Sequence, residues 1–221
     1  MVTFLLRVVV PDRPGMLGAV ASALGQVEGD IVSVDVVERS PGLAVDDMVV
    51  ELPSGKLPDA LVTAAHSIHG VRVESIRPYA GSLDTQRELE LIESMTAEPD
   101  SSALLLVSGL PRIFRAGWSL LLRPERRGAF VVATSHAAPA EKGETVTGLI
   151  LDQLGRRARA VDEDRDTVPS ALSALDTDLA ATPLGDRIVL LGRPGGPAFR
   201  SSELARLTHL AGIAMTIAQG T

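Results

Sequence analysis

The residues whose types and spacing could do chemistry stand together at Asp12-Arg13-Pro14-Gly15-Met16-Leu17-Gly18. They follow a short apolar run and precede an amphipathic one, so they form a corner between a strand and a helix. A helix N-terminus presents free N–H groups and a partial positive charge. A ligand carboxylate could rest on the amides of Gly15, Met16 and Leu17, while Asp12 meets an ammonium. The plainer use of the same residues is that Asp12 caps the helix and Pro14-Gly15 turns the chain. Residue types alone leave both uses open.

Other groups are weaker as sites. Gly192-Arg193-Pro194-Gly195-Gly196-Pro197 has the look of a phosphate loop but no lysine, and reads as a connecting loop. His66 and His69 lie three apart on one helix, short of the three or four ligands a closed metal site takes. His136 and His209 have no context for haem ligation. Arg123, Arg126 and Arg127 read as an exposed hairpin tip. Asp162, Glu163, Asp164 and Asp166 lack calcium-loop spacing and read as a solvated run. There is no G-x-S-x-G elbow and no catalytic carboxylate pair, so we expect no enzyme, no metal and no cofactor.

These residues sit in a chain of 221, enough for one large domain or two small ones. The chain is 45% hydrophobic and 22% charged, a globular mix that can bury a core. With 28 acidic against 21 basic residues, a net charge of −7 argues against nucleic acid and anionic membrane as partners. Cysteine is absent, which removes disulfides and thiol chemistry. No run reaches the roughly 18 apolar residues of a membrane span. The apolar opening lacks the cleavage site of a signal peptide. A cytoplasmic protein is expected.

Six elements must hold the corner in place. Thr3 to Val10 reads as a strand. Leu17, Val20, Ala21, Leu24 and Val27 recur at helical spacing, with Pro14 in the first turn and Gly29 at the end. Asp30 to Arg39 reads as a strand with Val32, Val34 and Val36 on one face. Val45 to Leu52 is a third strand, with Met48, Val50 and Leu52 on one side. Leu57, Leu61, Ala64 and Ile68 predict a second helix, and Val71 to Tyr79 a fourth strand. The order is βαββαβ, the ferredoxin-like order, with both helices on one face of an antiparallel sheet.

A polar joint at Ala80 to Asp84 separates domains of residues 1–80 and 86–221. Beyond it, helices over Gln86–Met95 and Ala103–Phe114 lead into strands at Trp118–Leu122 and Ala129–Ser135. A helix is expected over Gly143–Leu154 and a short apolar step at Ala158–Val161. A strand pair at Leu179–Thr182 and Arg187–Leu191 turns at Pro183-Leu184-Gly185. A last helix, capped by Ser201 or Ser202, carries Leu204, Leu207, Leu210, Ala211 and Ala214.

Val2 to Tyr79 resembles an ACT domain, on the strand followed by DRPGMLGAVASAL and on Gly29-Asp30-Ile31-Val32-Ser33-Val34. The resemblance implies an amino-acid effector held between two ACT units, by the corner after the first strand and the start of the second. The residues so implied are Asp12, Arg13, Pro14, Gly15, Met16, Leu17, Asp30, Ile31 and Val32. Serine-binding members place amide side chains where Asp12 and Asp30 stand, and this chain has no asparagine. Gln86 to Thr221 resembles a GAF domain, a cousin of the PAS fold with a central antiparallel sheet. That resemblance rests on Trp118–Leu122, Gly143–Ile150, Arg159–Asp162 and the terminal helix. The cyclic-nucleotide signature of that family is absent. The two resemblances together imply an α+β protein that senses a small molecule and regulates. Its partners would be a second copy of itself and a biosynthetic enzyme or regulator. A scaffold that dimerises without a ligand is the alternative.

Overall fold

In the computed structural model of the chain, residues 1–79, 86–151, 154–162 and 165–220 are described. The chain divides into two units, Met1–Leu83 and Asp84–Thr221. The expected joint at Ala80 to Asp84 lies outside the described residues.

The first unit is built as β1 (Val2–Pro11), α1 (Met16–Gln26), β2 (Asp30–Ser40), β3 (Leu43–Leu52), α2 (Asp59–His66) and β4 (Arg72–Pro78). Its four strands lie in the order β2-β3-β1-β4, each paired antiparallel with its neighbours. Valine and isoleucine dominate these strands because branched side chains pack well on a pleated surface. Phe4, Leu6, Val8 and Val10 of β1 and Met48, Val50 and Leu52 of β3 form the core with Val20 and Leu24 of α1 and Leu61 of α2. On the opposite side of β1 and β3, Leu5, Val9, Val45 and Val49 are buried as well. They flank an ion pair between Arg7 and Asp47, which are 1% and 0% exposed.

Strand β2 departs from strict alternation. Its register with β3 shifts between Ile31 and Ser33 and again between Val36 and Glu38. An extra residue in a strand reverses which face the following side chains occupy. Ile31 and Val34 therefore pack on the core while Val32, at the first shift, is exposed; Val36 keeps the face of Val34 and is exposed there. The end of α1 also differs from expectation. Glu28, not Gly29, takes the left-handed conformation, with φ of 63°. Gly29 is required for space, since a Cβ there would lie 3.0 Å from the Leu24 carbonyl oxygen and 3.0 Å from Leu61.

The second unit carries α3 (Gln86–Ala97), a 3-10 turn at Pro99–Ser101, and α4 (Ser102–Ile113). Six strands follow: β5 (Trp118–Glu125), β6 (Gly128–Thr134), β7 (Thr145–Thr147), β8 (Arg159–Ala160), β9 (Thr177–Leu184) and β10 (Arg187–Pro194). A short α5 (Ser170–Ser173) precedes β9, and α6 (Ser201–Gln219) ends the chain. The strands form one antiparallel sheet in the order β7-β6-β5-β10-β9-β8. Leu106, Leu110, Leu207, Leu210 and Ala214 from α4 and α6 pack with Leu121, Val189 and Leu191 in one core. On the other face, Trp118, Leu120, Leu122, Val131 and Leu190 pack with Leu149 and Leu172 in a second.

Several local expectations are corrected. Gly143–Leu154 is not a helix: Thr145–Thr147 pairs with β6, and Ile150 bridges to Thr167. Its apolar residues Val146 and Leu149 instead face the second core. Residues 152–153 of that run lie outside the described residues. Pro183 belongs to β9, where it pairs with Ile188, so the turn lies at Gly185-Asp186. Pro111 sits inside α4 rather than ending it. A proline there cannot donate to the carbonyl four residues back. The Ser119 hydroxyl of β5 donates to that carbonyl, on Val107. Helix α6 starts after Arg200, whose N–H donates to the Glu203 carboxylate at 2.9 Å; neither serine is the cap residue. Among the described residues, no helix is long and apolar enough to cross a membrane.

Candidate functional site

The corner after β1 is closed by backbone hydrogen bonds. The Asp12 N–H donates to the Gly42 carbonyl at 3.0 Å, tying the end of β1 to the β2–β3 turn. The Met16 N–H donates to the Arg13 carbonyl at 3.3 Å, and Ala19 N–H donates to Gly15 O at 2.9 Å. Gly15 stands at the helix start with φ of 86°, a conformation that costs other residues strain. Nothing lies near a Cβ built on it, so conformation and not crowding calls for glycine. Pro14 lies in the turn before α1, not in its first turn. Met16 is buried and anchors the corner, while Arg13, Pro14, Gly15 and Leu17 are exposed.

Asp12 does not cap α1. Its Oδ1 accepts a hydrogen bond from Arg39 Nη2 at 2.7 Å, with the two side chains 32% and 67% exposed. The carboxylate that was to meet a ligand ammonium therefore meets a guanidinium of its own chain.

The nine predicted residues do not come together within one chain. Asp12 to Leu17 lie where β1 and β2 end; Asp30, Ile31 and Val32 lie where both begin. Register makes the separation plain. Val10 pairs with Ala44, which pairs with Arg39. Thr3 pairs with Glu51, which pairs with Asp30. Seven residues of strand separate Thr3 from Val10, roughly 24 Å at about 3.4 Å each. Strands β1 and β2 run parallel with α1 between them, so the corner and the start of β2 fall at opposite ends of the sheet.

Two residues at the corner were not singled out from sequence, Arg39 and Asp46. Asp46 of β3 pairs with Val8 and Val36, two positions along β3 from Ala44, the partner of Arg39. Facing pairs share a side of the sheet, so Asp46 lies on the side where Val8 packs beneath the helices. It is 4% exposed, and its Oδ1 has no hydrogen-bond partner. Burial pushes its carboxyl above the usual carboxylate range. The Arg39 charge opposes that push, and Asp47 and Asp12 add to it. Asp47, the next residue, faces the other way and accepts Arg7 Nε at 2.6 Å and Nη2 at 2.8 Å. The signal in the sequence was an acidic pair inside an otherwise apolar strand, where alternation must send one carboxylate to each face.

The remaining candidates resolve into structure. His66 Nε2 accepts the Val73 N–H at 3.1 Å, and His69, His136 and His209 are exposed. No three metal-ligating side chains cluster among the described residues. Asp166 is buried rather than solvated. It accepts Arg159 Nη1 at 2.6 Å, Arg159 Nη2 at 2.7 Å and the Asp162 N–H at 2.9 Å. Glu163 and Asp164 lie outside the described residues. Arg193 is no part of a loop: it ends up buried in β10 and ties three segments together. It donates to Phe114 O at 2.6 Å, Pro197 O at 2.9 Å and Glu203 Oε1 at 2.6 Å. Arg123 lies over the Phe130 ring at 4.7 Å. A cavity of about 210 Å³ lies against the β5–β6 hairpin, lined by Leu122, Ala129, Leu149 and Ile188 with Glu125 and Arg126.

Comparison with known proteins places the corner in a family. Residues 4–70 match the ACT domain. A curated relative, NAD-dependent malic enzyme 1 of Bacillus subtilis, is 21% identical over 150 residues. That stretch is 65% of this chain, which spans 33% of the enzyme's length. Among solved structures, the GAF domain from an Acinetobacter phosphoenolpyruvate-protein phosphotransferase aligns with a TM-score of 0.45 and 9% identity. It covers 62% of this chain and 95% of that one. The GAF domain of the Coxiella burnetii phosphotransferase aligns with a TM-score of 0.43 and 16% identity, over 62% of this chain and 99% of that one. The corner at Asp12 to Gly18 and the elements from β1 to α2 lie in the matched region, and β4 follows just after it: residues 4–70 of this chain are an ACT domain.

Proposed function

We propose that this chain is a non-enzymatic sensor of an amino acid, acting as a regulator. The ligand sits at the corner of Asp12, Arg13, Pro14, Gly15, Met16 and Leu17, and the start of β2 in a second copy supplies Asp30, Ile31 and Val32. The observation that carries this reading is the ACT domain over residues 4–70, a regulatory and ligand-binding module. The separation of the two predicted halves within one chain supports a site shared between copies. A ligand that binds one assembly better than another shifts the population toward it. The second unit, a GAF-like module in this reading, serves as a dimerising or second sensory element, and the boundary between the two falls near residues 80–86.

A second reading has its own support. The Asp12 carboxylate is already paired with Arg39, which suits a scaffold that dimerises through the ACT sheet and binds nothing. Thermal melts and sedimentation of the full chain with each standard amino acid separate the two. Sensing predicts that one amino acid raises the melting temperature and shifts the oligomeric state. If none does either, while the chain stays dimeric, the scaffold reading replaces it.

A further inference from the structure

We propose that Arg39 and Asp46 form the recognition pair for the ligand: the guanidinium takes its carboxylate and the buried Asp46 takes its ammonium. This rests on the amino-acid reading above and names the groups that read the zwitterion. Both stand at the corner, though neither is among the nine residues predicted from sequence.

A buried polar atom without a partner is uncommon and calls for an explanation. Asp46 Oδ1 is such an atom, in a residue 4% exposed. It faces the helix-covered side of the sheet, two residues from the register position of Arg39. The Arg39 side chain is 67% exposed and, among the described residues, engages Asp12 through Nη2 alone. A guanidinium offers five donors in a planar fork that matches a carboxylate. The rest of that fork is open to a ligand. An α-amino acid carries a carboxylate and an ammonium two bonds apart on one carbon. Arg39 and Asp46 on neighbouring strands of one face offer the complementary charges in that order. The arrangement also supplies a cation for the ligand carboxylate, which Asp12 and Asp30 by themselves would repel.

The test uses the full chain and a thermal-shift panel of the standard amino acids. The amino acid giving the largest shift is then compared by calorimetry with its 2-hydroxy acid and with its decarboxylated amine. In the wild-type chain the amino acid should bind tighter than either analogue. Asp46→Asn should bind the amino acid about ten- to hundredfold more weakly, and no better than the hydroxy acid. Arg39→Gln should lose a similar factor and bind it no better than the amine, and Arg39→Lys should recover part of that loss. Far-UV circular dichroism melts verify that each variant is folded. If folded Asp46→Asn binds with wild-type affinity, the recognition pair is overturned and the sensor reading stands. If no amino acid binds the wild-type chain, both fall together.

Discussion

Replacing Asp46 with asparagine should stabilise the first unit, and the gain should depend on pH. Asp46 is nearly inaccessible, with one carboxylate oxygen unpartnered. Leaving a buried polar or charged group unsatisfied costs about 1–3 kcal/mol. An amide of the same shape removes the charge and keeps the volume. Burial raises the folded carboxyl above its ordinary value. The unfolded carboxyl titrates near pH ~4. Between that pH and the higher folded value, the native state holds more protons than the unfolded state, so wild-type stability falls as pH rises. Above the folded value the penalty is complete, and below about pH 4 it vanishes. Asp46→Asn should therefore gain about 1–3 kcal/mol at neutral pH and little at about pH 3.5. In a unit of this size that is a rise of about 4–8 °C per kcal/mol. Urea titrations at the two pH values, followed by far-UV circular dichroism, measure it. The single tryptophan, Trp118, lies in the second unit, so its fluorescence transition should not move. If Asp46→Asn unfolds together with wild type at neutral pH, or keeps its full advantage at acid pH, Asp46 is not a buried carboxylate under strain.

Two further substitutions test the packing of each unit. Gly192→Ala should destabilise the second unit by about 1–3 kcal/mol, because a Cβ there would fall 2.2 Å from the Trp118 ring across the strand pair. Trp118 fluorescence under urea reports it, and a midpoint equal to wild type would show that the ring yields freely. Arg7→Met should cost the first unit about 3–5 kcal/mol by stranding the Asp47 carboxylate, since Arg7 binds it at 2.6 and 2.8 Å in a site closed to water. A circular dichroism melt within a degree or two of wild type would count against that buried pair.

How far the site could be read from sequence follows from the range of each signal. The corner was legible because proline, glycine and aspartate between an apolar run and an amphipathic one act over a few residues. The strands of the first unit were legible from their branched apolar residues. The bulges in β2 were not, because they answer to pairing with β3 and leave no local mark. That is why Val32 turns outward while Ile31 and Val34 pack inward. The helix expected over Gly143–Leu154 failed for a related reason. Its apolar residues suit a helix face equally well, but β6 and the second core claim them.

By itself the sequence determined the βαββαβ order, the corner at Asp12 to Gly18, two modules, and the exclusion of thiol chemistry. All of these depend on composition or on neighbours along the chain. Only the tertiary structure decided which charges meet. Asp12 and Arg39 are joined because β1 and β2 run parallel and end together. Asp12 and Asp30 are held apart for the same reason. Asp46 and Asp47, adjacent in sequence, are sent to opposite faces, one with its Oδ1 left without a hydrogen bond and one clasped by Arg7. Charge pairing reaches across strands, and strand order and register are set by the burial of whole faces rather than by any local run of residues.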